Sequence, residues 1–155
     1  MLEIERKFLV KADLWQPLGQ GDYIAQGYLC AEPGRTVRVR VRGDKGYLTV
    51  KGRTEGISRA EYEYEIPVGE AKEMLALCPP PVLTKTRHKE KWGEFIWEID
   101  VFGGDNAPLI LAEIELPAPD ADFPRPPWLD REVSDDKRYF NSYLSAHPYG
   151  RWENV

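Results

Sequence analysis

The chain has 155 residues, of which 42% are hydrophobic and 30% are charged, and its 26 acidic and 21 basic side chains give a net charge of -5. This length favours one domain, and no run approaches the roughly 20 apolar residues that a membrane helix needs. The acidic balance argues against a surface devoted to nucleic acid or anionic lipid. The composition therefore predicts a globular protein with no nucleic acid partner and no membrane partner.

The first residues indicate the cellular location, and the cysteines and histidines indicate which metals the chain can bind. Residues 1–7 alternate charged and apolar side chains where a signal peptide needs a continuous apolar core. The only cysteines, Cys30 and Cys78, and the only histidines, His88 and His147, share no zinc-ligand spacing. We therefore expect a cytoplasmic protein, and we expect any bound metal to have oxygen ligands, which favours Mg²⁺ or Mn²⁺.

Alternation of apolar and polar residues with a period of two dominates the chain. This pattern predicts antiparallel strands joined by hairpins, and glycine-containing turns such as 43–46 and 103–106 separate the strands. The fold class predicted is mainly β (α+β), with residues 1–155 in a single domain. Eight strands are predicted, at residues 2–10, 22–30, 35–42, 46–52, 60–67, 82–91, 94–102 and 109–117.

A few helices are predicted beside the strands. Residues 69–78 contain good helix formers and end at three prolines. Residues 135–146 begin with acidic residues and carry an aromatic stripe that would dock on the sheet. Residues 11–18 are expected to form one or two further turns, and the prolines between 117 and 127 predict an extended connector.

The predicted strands separate their charged and apolar residues by parity. Alternate residues of a strand point to the same side, so each strand has two distinct faces. One face of strand 35–42 carries Arg38, Arg40 and Arg42, and one face of strand 60–67 carries Glu61, Glu63 and Glu65. A solvated polar face is ordinary for an antiparallel strand. Here, however, nearly every such position over seven strands is charged, and whole strands carry one sign. Like charges repel, so this pattern favours an oppositely charged ligand between them.

The chemistry of these rows indicates the ligand class. Guanidinium and ammonium groups bind phosphate oxygens, and pairs of carboxylates bind hard divalent cations. Together they predict a site for a metal-bound polyphosphate. If the eight strands close into an antiparallel β-barrel, the charged face can line an interior tunnel while the apolar face packs outward against covering helices.

The charged positions also resemble a known motif set. The segment Glu3-Ile4-Glu5-Arg6-Lys7 resembles a Glu-x-Glu-x-Lys signature on a first strand. The matching positions that follow it are Arg38, Arg40, Lys51, Glu61, Glu63, Lys85, Arg87, Asp100, Glu113, Glu115 and residues 136–139. In this combination the chain is similar to the CYTH superfamily, also called the triphosphate tunnel metalloenzymes, and it most resembles the small bacterial triphosphatases.

The resemblance implies a closed eight-stranded tunnel in which a triphosphate lies lengthwise, and it implies roles for individual residues. The residues expected to bind substrate are Lys7, Arg38, Arg40, Lys51, Lys85, Arg87 and Lys137. The expected metal ligands are Glu3, Glu5, Asp100, Glu113 and Glu115. The expected catalytic residues are Lys7, Glu61 and Glu63. The residues expected at a tunnel mouth or in solvent are Arg42, Glu65, Lys89 and Lys91.

Three functions stay open at this point. The first is metal-dependent hydrolysis of a triphosphate, either inorganic tripolyphosphate or a nucleoside or other organic triphosphate, with release of phosphate. The second is a class IV-type adenylate cyclase; such cyclases resemble one another in a His-Phe pair before the signature strand, whereas only Met1 and Leu2 precede Glu3 here. The third is a non-catalytic polyphosphate-binding module, which would not need so many carboxylates.

The outer apolar face leaves the oligomeric state open. Helices or a second copy of the chain could cover it, so a homodimer is one expected assembly.

Overall fold

The structure is a computed structural model that describes residues 1–152. Residues 153–155, which complete the predicted single domain, lie outside the described residues. The strands are β1 (Leu2–Val10), β2 (Asp22–Glu32), β3 (Arg35–Arg42), β4 (Lys45–Gly52), β5 (Ser58–Ile66), β6 (Leu83–Trp92), β7 (Phe95–Phe102), β8 (Ile110–Glu115) and β9 (Leu129–Glu132). The α-helices are α1 (Val68–Leu75) and α2 (Asn141–Ala146), and three 3₁₀ helices span Gly104–Asn106, Lys137–Tyr139 and Tyr149–Arg151. Neither α-helix of this part of the chain is long and apolar enough to cross a membrane.

Eight of the strands form a closed ring. Antiparallel pairing runs in the order β5, β4, β3, β2, β6, β7, β8 and β1. The ring closes because β1 also pairs with β5, from Leu2 opposite Ala60 to Ile4 opposite Ser58. The predicted mainly β fold with eight antiparallel strands is therefore confirmed.

Glycine is required at two points of the wall. Gly43 has a φ of 61° in the two-residue connection between β3 and β4, a backbone conformation that residues with a Cβ rarely adopt. Gly46 on β4 lies under α1, where an added Cβ would come within 2.5 Å of the Ala71 Cβ. The second glycine therefore lets α1 pack directly on the outside of the sheet.

The largest apolar cluster lies outside the ring. Trp97 on β7 and Phe8 on β1 pack edge to face with their ring centroids 5.6 Å apart. Trp15 from the segment after β1 and Trp128 from the segment after β8 cover them. The other buried members of this cluster are Ile99, Ala112, Ile114 and Leu116. The apolar parity therefore faces outward, as the sequence predicts.

A second apolar cluster closes one end of the ring. At this end, the face that carries Lys7 on β1 and Glu113 on β8 continues into Leu9 and Leu111. These leucines pack with Leu144 of α2 in a cluster that also contains Leu83, Phe102, Leu109, Val133 and Tyr139. The C-terminal segment is consequently held against the charged part of the interior.

The structure differs from the sequence expectation in three segments. β9 was not predicted, because its residues Leu-Asp-Arg-Glu show no apolar alternation; it pairs with the end of β1. The predicted helix 135–146 is interrupted at Phe140, whose ψ of 138° is extended, just after the Tyr139 carbonyl accepts a hydrogen bond from Lys7 Nζ. Residues 11–18 form a single turn and no helix, and Trp15 is anchored by a hydrogen bond from its indole nitrogen to Glu90.

Candidate functional site

The interior of the ring contains a polar cavity of about 210 Å³, called here the central cavity. Its lining includes eight basic and seven acidic side chains. The basic residues are Lys7, Arg38, Arg40, Arg42, Lys51, Arg59, Lys85 and Arg87, and the acidic residues are Glu3, Glu5, Glu61, Glu63, Glu98, Glu113 and Glu115. The remaining lining residues are Tyr28, Thr36, Asn141 and Ser142.

Most of the residues predicted to form the site line the central cavity, but two do not. Asp100 on β7 is 1% exposed and lies behind the lining, where it contacts Lys85 and Arg87. Lys137 is exposed on its 3₁₀ helix and lines a separate pocket beside Arg59 and Phe140. Of the residues expected at a mouth, Arg42 lines the central cavity, whereas Glu65, Lys89 and Lys91 are exposed.

The Asp100 carboxylate anchors two of the basic residues. Arg87 Nε lies 2.8 Å from Asp100 Oδ1, and Lys85 Nζ lies 2.7 Å from Asp100 Oδ2. Burial opposes ionisation of Asp100, but Arg87 and Lys85 outweigh it and hold the pKa of this carboxyl well below its usual range. Burial lowers the pKa of Lys85 to about 7 despite the contact with Asp100. Asp100 therefore fixes the positions of the Lys85 and Arg87 side chains, which line the cavity.

Lys51 joins two carboxylates on neighbouring strands. Its Nζ lies 3.1 Å from Glu3 Oε1 and 3.2 Å from Glu61 Oε2. Burial opposes ionisation of Glu3, but Lys51 and Arg59 lower its pKa. The pKa of Glu61 is raised, first by burial and then by the nearby charge of Glu3. A carboxylate with a raised pKa is suited to accept a proton near neutral pH.

A second glutamate of β5 is held by neighbouring strands. Glu63 Oε2 accepts a hydrogen bond of 2.8 Å from the Thr49 hydroxyl, and Arg38 Nη2 lies 3.3 Å from the same oxygen. The register explains this contact, because Thr49 lies opposite both Arg38 on β3 and Glu63 on β5. Glu63 is therefore fixed at the wall of the cavity with a cation beside it.

The carboxylates of β1 and β8 face one another across the ladder. Glu5 lies opposite Glu115, and Lys7 lies opposite Glu113. Burial, with the charges of Glu113 and Glu3, raises the pKa of Glu5 well above its ordinary value. Burial would also raise the pKa of Glu113, but Lys7 and Arg87 lower it to about 2.

The oxygen donors of this wall fit a hard divalent cation. Crowded, partly repelling carboxylates gain from a cation placed between them, and carboxylate oxygen is the ligand that Mg²⁺ and Mn²⁺ prefer. Within residues 1–152, no three Asp, Glu, His or Cys side chains already converge on one point as a metal cluster would. The fit therefore rests on the donor chemistry of Glu3, Glu5, Glu113 and Glu115.

Besides the lining residues Tyr28, Thr36 and Glu98, sequence reasoning missed Arg59, Asn141, Ser142 and Gln26. Arg59 lies on the same parity of β5 as Glu61 and Glu63, so extending the charged row by one position would have found it. Asn141 and Ser142 come from α2 and line the central cavity only because the C-terminal segment closes the ring. Gln26 on β2 is uncharged and fully buried. Nothing in the local sequence distinguishes the last three.

Replacing the Asp100 carboxylate should destabilise the fold in a pH-dependent way. Asp100→Asn leaves two buried cations without their anion, so we expect a loss of about 3–5 kcal/mol in the free energy of unfolding at pH 7. The pKa of Asp100 is lower in the folded chain than the 3.8 of an unperturbed Asp. The stabilisation is therefore present above pH 3.8 and is lost as the pH falls through the acid range, because the unfolded chain takes up the proton first.

Urea unfolding of the wild type and Asp100→Asn at pH 7 and pH 3 measures this difference. Glu65→Gln, at an exposed site, is the matched control and should change the free energy of unfolding by less than about 0.5 kcal/mol. If the difference in the free energy of unfolding between the wild type and Asp100→Asn is the same at pH 7 and pH 3, Asp100 does not stabilise the fold as an ionised carboxylate.

Comparison with known proteins places these features in a family. The CYTH domain model matches residues 1–142. The chain is 53% identical over 148 residues to a protein named inorganic triphosphatase from Acetivibrio thermocellus, and the match covers 95% of each chain. It is 38% identical over 152 residues to an inorganic triphosphatase from Nitrosomonas europaea, covering 94% of this chain and 97% of the relative.

A solved structure shares the fold. The crystal structure of the inorganic triphosphatase NE1496 has a TM-score of 0.65 and 35% sequence identity to this chain, and the match covers 92% of this chain and 93% of the other. The charged motifs, the eight-stranded ring and these similarities agree. The chain therefore belongs to the CYTH domain family.

Proposed function

We propose that this chain hydrolyses a triphosphate in the central cavity and releases orthophosphate. The observation that carries the proposal is the convergence of basic side chains from five strands on one enclosed space. A triphosphate is a compact chain of negative charge, and phosphoryl transfer depends mainly on positioning and charge neutralisation. The names of the relatives, inorganic triphosphatase, support inorganic tripolyphosphate as the first substrate to test.

The basic residues would hold the phosphate chain along the cavity. Guanidinium groups bind phosphate oxygens in pairs, and ammonium groups add compact charge. The residues proposed to bind the substrate from the cavity wall are Lys7, Arg38, Arg40, Lys51, Lys85 and Arg87. Lys137, which lines the neighbouring pocket, would contact only a phosphate group that extends towards Arg59.

The carboxylates of β1 and β8 would hold the divalent cation. We propose Glu3, Glu5, Glu113 and Glu115 as its ligands, while Asp100, tied to Lys85 and Arg87, would support the site from behind. Bound Mg²⁺ or Mn²⁺ would neutralise phosphate oxygens and make a nearby water more acidic.

The glutamates of β5 would prepare the water for attack. Glu61, with its raised pKa, would accept a proton from the water, and Glu63 would orient it. The water oxygen bonds to a terminal phosphorus, the bridging P–O bond breaks, and pyrophosphate leaves. Lys7, which lies 3.8 Å from Glu113, would stabilise the charge that develops on the transferred group.

Phosphate release from tripolyphosphate tests the proposal directly. We expect turnover with Mg²⁺ or Mn²⁺ and none after chelation. Arg40→Ala and Glu5→Gln should each lower kcat/KM by about 10²–10³, the range seen when a preorganised charge-stabilising group is removed. Lys91→Ala and Glu65→Gln, at exposed positions, are the matched controls and should retain wild-type rates. Tight tripolyphosphate binding without turnover in any divalent ion would instead indicate a binding module.

Incubation with ATP separates hydrolysis from the cyclase alternative. A hydrolase transfers the phosphoryl group to water, so we expect any turnover of ATP to yield phosphate and no cyclic AMP. Chromatography of the nucleotide products with Mg²⁺ and with Mn²⁺ measures this. Accumulation of cyclic AMP would replace the proposed reaction by attack of the ribose hydroxyl.

We also propose that two copies of the chain associate through the outer face of β4 and β5. Tyr62 and Tyr64 on this face are 48% and 61% exposed, and Val50 lies opposite Tyr62 in the ladder. Burying these side chains against a second copy would remove apolar surface from water.

The two cysteines are free thiols, in keeping with the cytoplasmic location expected from the sequence.

Light scattering tests the association. We expect the mass of a dimer for the wild type and of a monomer for Tyr62→Lys, while Tyr23→Lys, an exposed tyrosine on β2, should leave the mass unchanged. A monomeric wild type would exclude this assembly.

A further inference from the structure

The side chain of Gln26 is uncharged and lies among the charged groups of the ring interior. Gln26 is on β2, has no exposed surface, and lies opposite Arg40 on β3. A buried amide is normally hydrogen bonded through both its oxygen and its nitrogen. The partners of Gln26 therefore indicate what this side chain does.

The hydrogen bonds of Gln26 fix its orientation. Its Oε1 accepts a hydrogen bond of 3.1 Å from Arg40 Nε, and its Nε2 donates one of 3.2 Å to Asn141 Oδ1. The same Asn141 oxygen accepts a hydrogen bond of 2.8 Å from Lys85 Nζ. Because an ammonium group only donates, Asn141 must present its oxygen here, and Gln26 must direct its own oxygen to Arg40.

Arg40 differs from Arg38 and Arg87, which line the same cavity, in its partners. Arg38 lies 3.3 Å from Glu63, and Arg87 lies 2.8 Å from Asp100. Among residues 1–152, no carboxylate forms an ion pair with Arg40, and its hydrogen bond uses Nε alone. Both terminal nitrogens of this cavity-lining guanidinium therefore stay available to a ligand.

The electrostatic surroundings of Arg40 agree with this difference. Burial, with the like charges of Arg38 and Arg87, lowers its pKa to about 9. A positive charge held under these conditions gains when an anion enters the cavity.

We propose that Gln26 keeps the positive charge of Arg40 available to a ligand, because its amide meets the guanidinium in the wall of the central cavity without neutralising it. An amide oxygen accepts the Arg40 hydrogen bond and leaves the full charge for a phosphate group. A carboxylate at the same place would form an ion pair and compete with the phosphate. This inference rests on the proposed function, since the anion is taken to be the triphosphate.

Two substitutions of Gln26 separate its effect on the charge of Arg40 from a purely structural role of its hydrogen bonds. Gln26→Glu keeps an acceptor for Arg40 but neutralises it, whereas Gln26→Met removes both hydrogen bonds and leaves the charge. In calorimetric titration of the metal-free protein with tripolyphosphate, we expect Gln26→Glu to weaken binding at least tenfold and Gln26→Met by no more than about threefold. A purely structural role predicts the opposite order, because Gln26→Met loses more contacts.

A matched control measures the repulsion that any added carboxylate exerts. Ser142→Asp places one on the cavity lining at a residue that makes no hydrogen bond to Arg40, and it should weaken binding clearly less than Gln26→Glu. In the metal-loaded enzyme, Gln26→Glu should raise KM by a larger factor than it lowers kcat. If Gln26→Met does not fold, the comparison of Gln26→Glu with Ser142→Asp is sufficient to test whether Gln26 leaves the charge of Arg40 available.

The inference is overturned if Gln26→Met weakens binding as much as Gln26→Glu, or if Ser142→Asp matches Gln26→Glu. These measurements need no turnover. A protein that binds tripolyphosphate in the expected order but never hydrolyses it would therefore contradict the proposed function and leave the role of Gln26 intact.

Discussion

Mutual compensation of charge inside the ring is the interaction on which the structure depends. Moving an unpaired charge out of water costs several kcal/mol, so most buried acids and bases need a partner of opposite charge. The antiparallel register supplies the partners, because it sets Lys51 opposite Glu61, Arg87 opposite Asp100, and Lys7 opposite Glu113. A shift of a strand's pairing by one residue would turn its inward charged side chains outward and its outward apolar side chains inward. The strand register that closes the ring is thus the same register that pairs most of the buried charges inside it.

This compensation is incomplete at particular points, and those points are where a ligand can act. Glu5 is crowded by Glu3 and Glu113, which favours a cation. Arg40 has only an amide as a hydrogen-bond partner among the described residues, which favours an anion. A metal-bound polyphosphate supplies both charges together. The same wall therefore contains pairs that stabilise the fold, such as Lys85 with Asp100, and groups whose charge is left for the substrate.

The parity of the strands allowed most of the cavity wall to be predicted from sequence, because a period of two assigns each side chain to a face without knowledge of the fold. Parity also assigned Asp100 to the inner face correctly, but it carries no information on depth, and Asp100 lies behind two cations. Lys137 is not part of a strand, so parity could not assign its side chain to a face. Its predicted role in substrate binding rested on the family resemblance alone. Gln26 and Asn141 meet across 115 residues of sequence, and nothing local to either residue records that contact. Short β9 was missed because its four residues show no apolar alternation, although they pair with the end of β1.

The course of β1 links the wall to the order in which the polypeptide is made. This one strand pairs with β5 at its start, with β8 along most of its length and with β9 at its end. It is synthesised before the other strands, yet β8 and β9 follow it by about a hundred residues. Contacts so distant in sequence are slow to form, because a long loop must close before they contribute. During synthesis, Phe8 and the charged side of β1 would therefore stay exposed together until β8 and β9 have been made, and the enclosed chamber would form only then.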